Sequence, residues 1–525
     1  MPGWAPFGLV ILLFALGMAV WELFPPGVWH DDGVYVMLGR SLATGEGLRY
    51  VGVSGAPLAG KFPPLFPLLL AGVWAAYPAF PENAVYLTGL NIVLLSLAGG
   101  AFSLFLRRGL GLPGLLALGI SFLAWLSADL WRVALVPLSE PLFLGTMILA
   151  LWAGARMEGR EGTGGILLFL LAGGAVFYAR TLGIALLLAG VVALFVKNRR
   201  TAAVWTLVGT AALILPWALW CRAASATVPE PFQDTLGSYS GWWMRQALQE
   251  PGAFLAFLPS NLLLLLRQSL TLLLPGVEGP GRWVGIIMVP LVLLGLWEMG
   301  RRCLTLPLTL ALSFVVLLLW PFQDIRLSVP FQPFLILGGI LGFRSLLGRV
   351  QSRSWVWRGG LAIAVVWVAL LTAVSGRRLL EGWPGGPYRA RAAALEKAVR
   401  AVDEKTPSDA VVGAPELWSG IHLFTGRTVI PSARFFPMAQ DGPSWGTEEE
   451  QYQAWVSGGL THVLVEHGGG VHGAALDRVD ERCAPGTVQV LDLQPGQFLV
   501  RLSWDEDCRE RLLGGGRGDR SGPTS

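Results

Sequence analysis

The chain has 525 residues, of which 53% are hydrophobic and only 14% charged; a soluble domain carries about 25% charged residues. Its formal net charge of +4 is small for this length and gives no reason to expect a nucleic-acid partner. Repeated apolar runs of roughly 17–22 residues predict a multi-span membrane protein.

Taken in order, residues 1–8 contain no Lys or Arg, and no clean small-x-small cleavage site precedes Glu22. Residues 6–24 are therefore expected as a retained first span. Further candidate spans cover 84–106, 113–128, 138–155, 165–179, 181–196, 202–221, 282–300, 304–320, 327–343 and 355–376, about 11 in all. Two more apolar stretches, 63–79 and 253–275, are resolved by charge. With the N-terminus cytoplasmic and both stretches left out, the basic clusters fall on one side. They are Arg107 and Arg108; Arg156 and Arg160; Lys197, Arg199 and Arg200; Arg301 and Arg302; Arg344, Arg349 and Arg353. That is the positive-inside pattern. Counting either stretch alone as a span would reverse everything after it, so both are expected as helices lying in the outer interface. Pro63, Pro64 and Pro67 suit a helix start, and Arg267 suits an interfacial helix better than a span. The outer face then holds 28–83, 129–137, 222–281, 321–326 and the chain from about 377 onward.

Beyond 377 the pattern changes. Residues 387–404 form an amphipathic helix. Short apolar runs at 409–414, 461–465, 487–493 and 497–503, with helical segments at 416–424 and 448–457, predict a small α/β domain. The expected organisation is a transmembrane domain over 1–376, an extracytoplasmic α/β domain over 377–512 and a disordered tail over 513–525. Cys483 and Cys508 either pair or stay as free thiols. His462, His467 and His472 recur around a Gly-rich loop and are expected at the surface. No phosphate-loop motif, paired-Cys zinc spacing or internal repeat is present.

The candidates for chemistry lie on the outer face. Asp31 and Asp32 follow the first span. Adjacent carboxylates at a membrane boundary repel, and burial raises the pKa of at least one. Such a group suits a general base or a metal ligand, while Asp32 also fits a plain helix N-cap. Glu140 opens a span on the same side; an acid at that depth is a functional candidate, or a capping residue. The outer cations are Lys61, Arg132, Arg180, Arg222, Arg245 and Arg326. Arg180 sits in a tight outer turn between two spans. Arg326 lies between two more, two residues after Asp324. A buried Arg presents a fork suited to phosphate oxygens. Internal ion pairs, Asp324 with Arg326 or Glu140 with Arg180, would also account for these charges.

The order of features is specific. An acidic pair opens an outer-loop helix at Asp31-Asp32-Gly-Val-Tyr35. A Lys-x-Pro-Pro-Leu-x-Pro run covers Lys61 to Pro67. Glu140-Pro141 opens a later span, Arg326-x-x-x-Pro330 follows, and Phe-Thr-Gly-Arg occupies 424–427. This order resembles the bacterial GT-C glycosyltransferases of the protein O-mannosyltransferase and lipid A aminoarabinose transferase type. The resemblance implies a GT-C α-helical multi-pass membrane protein of the bacterial inner (plasma) membrane, with catalytic outer loop 28–83. It implies transfer, with inversion, of a sugar from a polyprenyl-phosphate donor to a hydroxyl of a protein, lipid or glycan. Asp31 matches the catalytic acidic position and Glu140 the second acid; Asp32 stands where Glu is more usual. Lys61 and Arg326 match positions associated with the lipid phosphate, and the topology adds Arg180. A divalent metal is an open element of this class, with its ligands unknown. The alternative class is a polytopic transporter or lipid flippase. That class favours ionisable groups near the bilayer midplane and a pseudo-symmetric repeat, whereas here the charges gather at one face.

Overall fold

In a bilayer a bare peptide group has no partner, so apolar runs close their hydrogen bonds internally as helices. The computed structural model describes residues 4–159, 162–249, 251–274, 285–286, 288–320, 324–349, 354–414, 417–432, 454–466, 476–477, 479–481, 483, 485–494 and 497–514. Its first helices are α1 (Ala5–Ala19), α2 (His30–Ala43), α3 (Leu65–Ala76), α4 (Ala84–Arg108), α5 (Gly114–Trp125), α6 (Ala128–Arg132), α7 (Glu140–Glu158), α8 (Gly162–Ala179), α9 (Ile184–Val196) and α10 (Arg200–Ser225). Short helices α11 (Gln233–Leu236), α12 (Tyr239–Gln249) and α13 (Pro251–Ala256) precede α14 (Leu258–Leu273). Then come α15 (Met288–Gly300), α16 (Thr305–Leu318), α17 (Gln332–Arg349) and α18 (Ser354–Leu380). Among the described residues six helical stretches are long and apolar enough to cross a membrane unaided, and six shorter apolar helices accompany them.

Helix α7 sets the two faces of the bundle. Its 19 residues rise roughly 28 Å, close to the ~30 Å hydrocarbon core, with an acid at each end. At one end Glu140 meets Arg180 and Arg326. At the other, Glu158 caps the start of α16. It accepts the Leu304 N–H at 2.8 Å, the Thr305 N–H and hydroxyl at 2.6 Å each, and pairs with Lys197 at 2.6 Å. Arg199 adds bonds to the Met157 and Gly159 carbonyls. Lys197 and Arg199 therefore stand at the end opposite Arg326. Glu158→Ala would leave Lys197 and the α16 amides without their buried partner. It is expected to cost about 3–5 kcal/mol, read as a lower thermal midpoint in detergent.

Helix α3 has 12 residues, roughly 18 Å of rise, and packs along α2 rather than crossing. Helix α14 belongs to a stretch, Phe254–Leu273, long enough to cross, yet both its ends meet the same face. Asn261 donates to the Leu318 and Trp320 carbonyls, and Gln332 donates to the Leu272 carbonyl. Those partners are the Arg326-side ends of α16 and α17, so α14 lies across them. Helices α15 and α17 cross backbone to backbone at Gly295 against Gly338 and Gly342 against Leu291, the close packing small residues allow between apolar helices.

After α18 come α19 (Gly386–Lys405), strand β1 (Val411–Ala414), α20 (Trp418–Thr425), β2 (Thr428–Pro431), β3 (His462–Glu466), β4 (Val488–Gln494), β5 (Gln497–Leu502) and α21 (Glu506–Gly514). The sheet order is β2-β1-β3-β5-β4. β1 runs parallel to β2 and β3, while β5 is antiparallel to β3 and β4. Cys483 and Cys508 form a disulfide. His462 departs from the surface position expected for it. It lies on the central strand β3, is buried, and its Nδ1 is 2.9 Å from the Thr461 hydroxyl. His467, His472 and all but two residues of the 513–525 tail lie outside the described residues, as does most of the expected 448–457 helix.

Candidate active site

The site starts with the turn that brings the chain off α1. Gly27 has φ +102°, a conformation open to glycine without a Cβ penalty. Asp32, in the first turn of α2, reaches back to this turn. Its Oδ2 accepts the Gly27 N–H and its Oδ1 the Trp29 N–H, both at 2.9 Å. Burial pushes Asp32 up to about 7, against the pull of these amides and that of Gly33. Both oxygens of Asp32 are thus committed to the start of α2.

Asp31 occupies the same turn and makes an ion pair with Arg326. Burial raises its pKa, but the Arg326 guanidinium, with His30 and Lys61, outweighs it and holds Asp31 at about 2. Arg326 is fixed on several sides. Its backbone N–H donates to Asp324 Oδ1 at 2.9 Å, its Nε lies 3.4 Å from Asp324 Oδ2, and its Nη1 lies 3.9 Å from Glu140 Oε1. The guanidinium stands 5.9 Å from the Trp29 ring centroid, and Arg391 stacks on that ring at 4.3 Å.

Glu140 comes from the start of α7 and its side chain is 1% exposed. Arg180, in the turn between α8 and α9, places Nη1 2.5 Å from Glu140 Oε1 and 3.4 Å from the Ser139 hydroxyl. Tyr35 lies 2.9 Å from the same hydroxyl. Arg180 thus engages Glu140 Oε1, while Glu140 Oε2 makes no hydrogen bond, and neither do Nε and Nη1 of Arg326. These buried groups keep unused hydrogen-bonding capacity for a ligand.

Lys61 is buried and donates to the Thr235 carbonyl at 3.0 Å, with the Tyr239 ring 4.9 Å away. Burial pushes it down to about 8, opposed by Asp31 and Asp234. Tyr239 packs edge-on against Trp320 at 4.9 Å, an aromatic wall that sequence reasoning missed because nothing in the 222–281 stretch singles it out. Asp31, Glu140, Arg180 and Arg326 therefore form one network. Lys61 joins through its charge on Asp31, and Asp32 stands beside it, engaged with backbone. Arg132 and Arg245 pair elsewhere, with Asp129 and Asp234. Among the described residues no three His, Cys, Asp or Glu side chains converge as a metal site.

No protein family matches the chain by sequence, and no curated protein does. Solved structures do match by fold. ArnT from Cupriavidus metallidurans in the apo state aligns with TM-score 0.56 and 16% identity, covering 94% of this chain and 98% of that one. The same protein bound to undecaprenyl phosphate aligns with TM-score 0.53 and 13% identity over 94% and 97%. The fold is of the GT-C glycosyltransferase type. The Archaeoglobus fulgidus oligosaccharyltransferase, in complex with Zn and sulfate, also aligns to this GT-C fold. Its TM-score is 0.54 and its identity 13%, over 87% of this chain and 68% of its own.

Proposed function

We propose that this integral membrane protein is a glycosyltransferase that takes a sugar from a polyprenyl-phosphate donor and passes it to a hydroxyl at the outer face. The observation that carries the reading is the buried network of Asp31, Glu140, Arg180 and Arg326 at one end of the bundle. Beside it lie apolar helices α3 and α14, suited to border a lipid tail. The likeness to ArnT bound to undecaprenyl phosphate supports a polyprenyl phosphate as the donor lipid. The Cys483–Cys508 disulfide fits an oxidising compartment, and so an extracytoplasmic C-terminal unit.

In this reading Arg326, Arg180 and Lys61 hold the donor phosphate. The anomeric C–O bond breaks, its electron pair passes to the phosphate, and those cations stabilise the developing charge. The acceptor oxygen attacks from the opposite side and gives its proton to Asp31, with inversion at the anomeric carbon. Glu140 orients Arg180 and keeps a lone pair for the sugar or acceptor. Asp32 is a positioning residue for Asp31.

In a nanodisc, with a panel of polyprenyl-phosphate sugars, the protein should release free polyprenyl phosphate from at least one donor. Lys61 loses its proton as pH rises through about 8, so the donor KM should rise above that pH, and Lys61→Arg should remove the rise. No release from folded protein, with or without membrane extract as acceptor source, would overturn the reading in favour of a transporter or lipid flippase.

A further inference from the structure

The C-terminal unit reaches the reaction centre through α20. This helix crosses the start of α2 so closely that a Cβ on Gly27 would strike the Gly420 backbone. One on Gly33 would strike the Ser419 side chain and Gly27 itself. Trp418 packs edge-on against His30 at 5.6 Å and faces Tyr50 at 6.4 Å. Trp418 Nε1 and Ser419 Oγ are buried and make no hydrogen bond, so the crossing is held by shape rather than by polar contacts. A second tie lies further along the loop. The Val429 N–H on edge strand β2 donates to the Gly52 carbonyl at 2.8 Å, Val53 bridges Val429, and the His422 ring fills the space over Gly52.

The crossing leads directly to the network. Gly27 is the residue whose N–H Asp32 accepts, and Asp31 is the neighbour of Asp32 in the same turn. A glycine at φ +102° has wide conformational freedom, so its place must be over-determined by what surrounds it. Here the surroundings are supplied by α20.

We propose that α20 is a positioning element of the reaction centre: Gly420 and Ser419 seat Gly27 and Gly33, Gly27 seats Asp32, and this sets Asp31 against Arg326. The C-terminal unit then does more than recruit an acceptor, because the geometry of the base depends on it. The inference rests on the reading of Asp31 as the base.

The test is Gly420→Val, which forces a branched side chain into the crossing. A misplacement of 1 Å at a reacting group costs on the order of 100-fold, so kcat for donor release should fall by about that factor with donor KM changed less than about threefold. The amides of Gly27, Trp29 and Gly33 should exchange hydrogen at least about tenfold faster, with protection elsewhere retained. Gly420→Ala crowds Leu395 and Gly27 more mildly and should shift both readouts in the same direction, which covers a Gly420→Val that fails to fold. Val490→Ala, at an exposed position on β4, should change neither. Parent-like kcat in folded Gly420→Val would overturn the positioning role, whatever its exchange. Should the parent show no Asp31-dependent release at all, the glycosyl-transfer reading fails instead. Exchange at 27–33 then decides by itself whether α20 holds this turn, and unchanged exchange would overturn that link.

Discussion

Asp31→Asn is expected to lower turnover by about 10²- to 10⁴-fold, the range for loss of a positioned general base, and at the same time to tighten binding of the donor lipid phosphate. The two effects have one cause. In the resting site Asp31 and Arg326 are paired, and a carboxylate held at about 2 is a weak base. On the proposed reading, a phosphate entering the site would compete for the same guanidinium. As Arg326 turned to it, Asp31 would lose its counter-charge and become more basic at the moment a proton must be taken. Asparagine removes the competition and the base together. Single-turnover release and direct polyprenyl phosphate binding, measured side by side, separate the effects. Weaker binding by the variant would sink the competition argument. Unchanged turnover would pass the role of base to Glu140, whose oxygens keep free lone pairs. The pair also has a stability consequence. The folded pKa of Asp31 is depressed, so its contribution is present above the ordinary carboxylate value and lost as pH falls from about 4 towards 2.

The elements of this site differ in how far they were legible in the sequence. Helix positions were, because a bilayer leaves an apolar run little choice but to be a helix. The 138–155 run became α7 at Glu140–Glu158 and the 355–376 run became α18 at Ser354–Leu380. Which charges share a face was legible too, since span parity and basic loops fix it. Partner choice was not. Asp324 with Arg326 and Glu140 with Arg180 were foreseeable pairs, and both form. The pair of Asp31 with Arg326 spans 295 positions, and no local pattern encodes it. Asp32 was offered two roles, cap or acid, and only its bonds to Gly27 and Trp29 distinguish them. The α20 crossing left no trace at all, because Gly27, Gly33 and Gly420 matter for the side chain they lack. Strand β2 was missed for a plainer reason: Thr428–Pro431 is four residues long and ends in proline.

Arg326→Ala is expected to cost about 3–5 kcal/mol of stability, the cost of stranding a buried charge, and to abolish tight binding of the donor phosphate. Arg326 reaches three carboxylates, Asp31, Asp324 and Glu140. Without it Arg180 is the close partner left to Glu140, and Asp31 keeps only the weaker counter-charges of His30 and Lys61. Adding Asp31→Asn should return most of the lost stability, since the stranded charge is gone, but it should not return donor affinity. The cycle of both single variants and the double variant measures this coupling. Thermal midpoints with and without polyprenyl phosphate read it directly, because a ligand bound only by the folded state raises the midpoint by an amount that grows with the logarithm of its affinity. The parent should gain stability from the lipid phosphate, Asp31→Asn should gain more, and both variants lacking Arg326 should gain almost nothing. A lipid-induced shift that survives loss of Arg326 would place the phosphate with Arg180 and Lys61 alone, and would make the pair of Arg326 with Asp31 a scaffold rather than a switch.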